Sequence, residues 1–320
     1  MFLTILDQTI FLFIFIALGF LFGKLKFLPE NAALTLSKLE TYLFVPALVM
    51  SAFIENCNLE TITECRSLLL CAIAEMFLFI ILGLIFSKIL YKRGNVRNVT
   101  TYGLAFANFG FMGMAIIKGA FPEIFFEYTV FTLPLWAGIY LWGAPVLLIA
   151  DADGEKKKRS FKDIVKPFIN PILIAMMVGL IVGLTGLRLP SPIVIAINSA
   201  GNCMSPVAMF LTGLTVAGID LLKMIKNYKL YIISAVKLIL FPAVFIAVAL
   251  LLKGVSFINN TALICCMNFA VMPIGMNGIV IPAAYGKDVT DATGMVLITH
   301  ILSIATIPIA YMIFQNLLIV

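Results

Sequence analysis

The sequence predicts an all-α integral membrane protein: ten transmembrane helices arranged as two inverted repeats of five. Three observations predict it. The 320 residues are 62% hydrophobic and only 12% charged, with a mean hydropathy of +1.10, too few charges to cover a water-facing surface. Apolar runs long enough to cross a bilayer as a helix, ~20 residues, recur from end to end. Proline- and glycine-bearing motifs of the first half return in the second.

The expected spans are 8–26, 31–56, 66–91, 98–120, 126–151, 168–187, 191–218, 229–253, 260–286 and 290–318. The joints are short and leave little sequence for a soluble domain. The runs are too long and too continuous for the strands of a membrane β-barrel. The organisation that follows is a first five-helix repeat at 1–151, a basic cytoplasmic loop at 152–167 and a second, inverted repeat at 168–320.

The first span carries Asp7 ahead of its apolar run and Lys24 and Lys26 after it. A cleavable signal has the opposite arrangement, so this reads as a first helix inserted with its N-terminus outside. The remaining basic residues agree. With the N-terminus outside, most of the 22 Lys and Arg fall in cytoplasmic joints, the densest being EKKKRSFKD at 155–163. The positive-inside rule then puts both termini outside the cell membrane. The net charge of +6 is a topology signal. The basic run suits a loop beside anionic lipid and implies no nucleic-acid partner. The six cysteines lack metal or redox spacing and read as small packing residues; only Cys57 and Cys65, sharing one expected outer loop, are placed where a disulfide could form.

The repeat is read from matched motifs. The second span has YLFVPALVMSAF around Pro46 and the seventh NCMSPVAMFLTGL around Pro206, an offset of 160. The fourth has NFGFMGMAI and the ninth MNFAVMPIGMNGI, with Gly113 and Gly275 offset by 162. Because five is odd, the second half must enter the membrane from the opposite side. Inverted repeats whose discontinuous helices meet near the midplane are a common plan of secondary transporters. Gly103, Gly110 and Gly113 mark one interruption; Pro273, Gly275 and Gly278 mark the other. A proline inside a helix costs about 3 kcal/mol, and every backbone amide it frees within lipid needs a partner. Two helices broken at matched positions can satisfy that need by crossing at their breaks. Their half-helix N-termini then aim N–H groups at one point, which suits a carboxylate, with Asn108 and Asn277 beside it. Gly110, Gly113, Pro273, Gly275 and Gly278 complete this expected substrate site. Close packing and a simple proline kink are the plainer alternative for the same glycines.

Four stretches in this order resemble the auxin efflux carrier family, including its bacterial malate and malonate permeases: LSKLETYLFVPALVMSAF (36–53), NFGFMGMA (108–115), NPILIAMMVGLIVGLTGLRLP (170–190) and MPIGMNGIVIPAAYG (272–286). Ala115 stands where plant members carry a proline. The joint between spans five and six is short, as in bacterial members. The resemblance implies a fold like bile-acid and sodium–proton transporters and an elevator motion in which helices one, two, six and seven are the scaffold. It also implies a small organic anion as substrate, such as a dicarboxylate or auxin-like acid, homodimers, and no cofactor.

Ionisable residues deep in a span are functional candidates by default. Glu75 and Lys237 are offset by 162, which makes them repeat mates, one acid and one base, and candidates to support or couple to the crossing. A fixed ion pair is the structural alternative. His300, the one histidine, titrates in the physiological range when unperturbed and is a candidate for proton coupling; a neutral, hydrogen-bonded packing role is the plainer reading. Lys118 ends the fourth span as an interfacial charge or an attractor of substrate. Lys38 and Glu40 read as interfacial. Trp136, Tyr140 and Trp142 read as interface or core packing. The sequence has neither HExxH nor GxSxG, and its aspartates lie at helix ends or in joints, so no enzyme or metal site is expected. A cation-coupled or sodium–proton exchanger of the same fold is the second reading, weakened because the crossing holds Asn and Gly in place of acids. The coupling ion cannot be read from the residues.

Overall fold

The computed structural model describes residues 2–29, 31–57, 65–149, 171–218, 224, 226–252, 258–284 and 287–319. The basic loop expected at 152–167 lies outside them. The described chain is helical: α1 (Phe2–Lys24), α2 (Ala32–Asn56), α3 (Arg66–Leu90), α4 (Asn95–Ala105), α5 (Phe109–Ala120), α6 (Pro122–Ile149), α7 (Pro171–Thr185), α8 (Ser191–Ala217), α9 (Tyr228–Leu251), α10 (Asn260–Val271), α11 (Asn277–Ala284) and α12 (Thr290–Ile319). Seven of these are long and apolar enough to cross a bilayer, and α5, α7 and α10 are shorter apolar helices. The outward faces carry Leu3, Ile14, Phe77, Ile81, Ile181 and Ile239, all exposed, as expected of helices whose solvent is lipid.

In lipid no hydrophobic force draws helices together, so close packing of small residues must. Helix α1 buries only Ile5, Thr9, Leu12 and Gly19, a single seam turned to α8. There the backbones touch. A Cβ on Gly19 would lie 2.0 Å from the Phe210 carbonyl oxygen, and one on Gly213 would lie 1.9 Å from that of Ile16. Helix α7 meets α2 in the same way through Gly179 and Gly183, against Met50 and Phe53. Helices α1, α2, α7 and α8 thus form one tightly seamed group. The other helices include α10 and α12, whose buried residues run unbroken over 265–271 and 292–300.

Prolines within spans are absorbed locally. Pro46 in α2 and Pro242 in α9 each follow one widened turn, at Glu40–Phe44 and Val236–Leu240. Such turns let the backbone rejoin its ladder past the missing N–H. One expectation is corrected here. Glu40 is fully buried in the first widened turn, with neither carboxylate oxygen hydrogen-bonded; it is not interfacial. No disulfide joins Cys57 and Cys65, both buried.

Candidate functional site

Both sequence interruptions are breaks in the structure. Helix α4 ends at Ala105 and α5 starts at Phe109; α10 ends at Val271 and α11 starts at Asn277. The two breaks meet. Ala107 pairs with Ile274 in an antiparallel bridge, and the Asn108 N–H donates to the Pro273 carbonyl at 2.7 Å. This contact satisfies backbone groups that the broken helices would otherwise leave bare at depth. Gly275 permits it: a Cβ there would sit 3.0 Å from the Ala107 carbonyl oxygen. From the meeting point α5 and α11 begin, and the first turn of each has N–H groups without an acceptor in its own helix.

Asn108 is the hub. It is 2% exposed, and its carbonyl accepts from the N–H groups of Met112 and Gly113. Its side-chain Nδ2 lies 3.1 Å from Nε2 of His300. His300 Nδ1 lies 2.8 Å from the Val296 carbonyl oxygen, which can only accept, so Nδ1 carries the ring proton. Nε2 is then the acceptor, the Asn108 amide donates to it, and Oδ1 of Asn108 is turned away. Burial and the Val296 carbonyl are what act on this imidazole. The helices packed on α12 carry Asp7, Lys24, Arg97, Tyr102, Lys229 and Lys237, with the tyrosines of α9 and cysteines of α10; none of these charges bears on it. His300 therefore reaches the crossing through Asn108.

The other expected residues divide. Asn277 is the first residue of α11 and is half-buried. The Gly278 N–H donates to the Gly275 carbonyl at 3.1 Å, and Gly278 faces the Tyr102 ring. Gly110 and Gly113 clear space for side chains: a Cβ on the first would lie 2.5 Å from the Trp136 ring, on the second 2.4 Å from the Tyr128 hydroxyl. Trp136 is accordingly a core residue, its ring 5.0 Å from that of Phe109 and stacked on Tyr140 at 6.1 Å.

Glu75 and Lys237 are both buried, at 5% and 0% exposure, but they form no hydrogen-bonded ion pair: neither carboxylate oxygen of Glu75 nor Nζ of Lys237 has a hydrogen-bond partner. The Lys237 ammonium is instead enclosed by three rings, Phe241, Phe79 and Phe269, with centroids at 5.0, 5.1 and 5.6 Å. Such contacts contribute about 2 kcal/mol or more when desolvated. Phe269 also touches Phe109 edge-on at 5.8 Å, so the cage abuts the crossing directly. Glu75 acts on Lys237 through space.

Two residues at the crossing were not expected. Asn268 is fully buried; its Nδ2 donates to the Gly113 carbonyl at 3.1 Å, and its Oδ1 accepts from the Tyr311 hydroxyl at 2.9 Å. It ties α10 to α5 and α12. Its signal was present: Asn108-Phe109 and Asn268-Phe269 are the same dipeptide at an offset of 160. Thr299 was also missed; its hydroxyl accepts from the Ile274 N–H at 3.3 Å.

The sequence profile of the family described as "Membrane transport protein" matches residues 4–311. The chain belongs to this family, the auxin efflux carriers. One relative, of Rhizobium meliloti (strain 1021), is named "Putative malonate transporter". It is 27% identical over 301 residues, covering 91% of this chain and 90% of its own. The present carrier is thus a multi-pass membrane transport protein, and the similarity runs through both breaks.

Proposed function

We propose that this carrier moves a small organic anion, a dicarboxylate such as malonate, by alternating access, with a carboxylate bound where the two breaks meet. The observation that carries the reading is the paired interruption: two helices broken at matched positions, joined by the 2.7 Å bond from Asn108 to Pro273. Helix N-termini converging in a place poor in water favour negative charge. Asn108 and Asn277 supply neutral hydrogen-bonding groups beside them. The relative's printed name supports the substrate class.

In the fuller form of the proposal, ten helices form two inverted repeats in the cell membrane with both termini outside, and the protein is a homodimer. Helices α1, α2, α7 and α8 are the scaffold, and the rest slide against it as an elevator. The glycine seams support a rigid scaffold because backbone contacts leave no slack. Lys237 in its cage, with Glu75 nearby, stands as a basic group behind the crossing, and His300 sets which end of the Asn108 amide faces the anion. The competing reading, a sodium–proton exchanger, requires acids at the crossing; residues 106–113 and 272–278 contain none.

Thermal stabilisation of the purified protein against mono- and dicarboxylates and indole acids, with and without sodium, tests the reading. Stabilisation by a dicarboxylate supports it. Stabilisation by sodium alone, with no acid effective, favours the exchanger.

A further inference from the structure

An apolar groove of about 750 Å³ opens between α3 and α6. Leu69, Ile73 and Ile80 form one wall, and Pro134, Ala137 and Leu141 the other. The two helices come close at Gly138, where a Cβ would lie 2.5 Å from Sδ of Met76. Beside that contact Ala137 offers only a methyl group, and the space is left open. Ile73, Phe77 and Leu141 are exposed along it. The volume is that of a small-molecule site, yet Trp142 has the only strong hydrogen-bonding side chain in the lining. A polar metabolite finds nothing there to grip, whereas a hydrocarbon chain does. The groove follows α3 from Leu69 to Ile80, about 16 Å at 1.5 Å per residue. That is about half of the ~30 Å hydrocarbon core, the depth of one leaflet.

The end of the groove is charged. Arg66 begins α3, and positions 66, 69, 73, 77 and 80 follow one another at the three- and four-residue spacing of a single helix face. Arg66 is exposed. A helical side chain leans toward the start of its helix, which carries this guanidinium out of the hydrocarbon to head-group level. Glu127, near the start of α6, has a buried Oε2 and acts on Cys265 of α10; it is turned inward and leaves the mouth of the groove to the cation.

We infer that this groove docks one phospholipid of net negative charge, with an acyl chain between α3 and α6 and the phosphate on Arg66. A guanidinium binds phosphate through paired, charge-assisted hydrogen bonds, and a head group without a cation of its own keeps the full attraction. An acyl chain fits the depth and the apolar lining. The inference needs only that the chain lies in a membrane. It is independent of the anion that the crossing carries.

Trp142 supplies the probe, because bromine on a lipid chain quenches indole fluorescence on contact. Trp136, the other tryptophan, is buried in the core and gives an unquenched background. The full-length protein is reconstituted in vesicles of equal phosphatidylglycerol and phosphatidylcholine, with the chains of one lipid or the other brominated. Phosphatidylglycerol should occupy the groove about fivefold in preference, the equivalent of about 1 kcal/mol for one basic residue. Arg66→Gln, a change at an exposed position, should erase the preference. Ala137→Phe, which fills the groove, should erase it as well. Equal quenching by the two lipids in the wild type would overturn the site, as would a preference that survives in Arg66→Gln. Quenching by neither lipid would overturn it in favour of a second copy of the chain covering the groove.

Discussion

Asn268→Leu removes the side chain that fastens the crossing, and its consequence can be worked from the hydrogen bonds. Leucine is close in volume, so little cavity forms. Two bonds go: the 3.1 Å bond to the Gly113 carbonyl and the 2.9 Å bond from the Tyr311 hydroxyl. Within a helical membrane bundle each contributes about 0.6–1.7 kcal/mol. The larger effect is what remains. Tyr311 is fully buried, and its hydroxyl is left without a partner, at a cost of about 1–3 kcal/mol. The expected loss is about 2–4 kcal/mol, read as a lower unfolding midpoint in detergent. Tyr311→Phe alone should cost less, because it leaves one acceptor unfilled. The double variant carries the sharper expectation: with the orphaned hydroxyl gone, Asn268→Leu/Tyr311→Phe should be more stable than Asn268→Leu alone. A double variant whose loss equals or exceeds the sum of the singles would refute the reasoning.

Other perturbations follow from the same geometry. Gly213→Ala would put a Cβ 1.9 Å from the Ile16 carbonyl, force α1 and α8 apart, and cost about 3 kcal/mol; a midpoint within a degree of wild type would deny the seam. Lys237→Met leaves an apolar side chain among three phenyl rings, so the protein should stay folded while flux stops; flux should return in part when Glu75→Gln is added, and full flux in the single variant would remove Lys237 from the mechanism. The neutral His300 ring accepts from Nδ2 of Asn108, so His300→Leu releases that amide to turn toward the anion; malonate affinity should change while the protein stays folded, and an unchanged affinity would show that Asn108 does not answer to the ring.

The breaks were legible because proline and glycine act on the backbone locally, and MPIGMNGIVIP carries its disruption in a few consecutive residues. The close seams were legible only in part. Gly179 and Gly183 show a spacing that invites packing, but which helix they meet depends on the assembled fold. Glu40 was misread because a charge near the end of an apolar run usually reaches water. The widened turn ahead of Pro46 rotates it inward, and no local pattern announces that rotation. Lys237 stood out as a buried charge, but its partners did not. An acid at a matching offset was the obvious candidate, whereas the cage draws three rings from different helices out of 27 phenylalanines. The Asn268–Tyr311 bond joins positions 43 residues apart. Only the repeated Asn-Phe dipeptide hinted at its importance.

The most direct test of the central claim is counterflow of labelled malonate into proteoliposomes, wild type beside Asn277→Ala. Asn277 is half-buried at the start of α11, so its truncation should spare the fold. Losing a hydrogen bond to a charged ligand costs about 1.5–3 kcal/mol, a fall in affinity of roughly ten- to a hundredfold. The account predicts malonate accumulation by the wild type and a loss of that size in the variant, with its unfolding midpoint unchanged. Equal uptake by both at subsaturating malonate would place the anion elsewhere and contradict the crossing as the transport site.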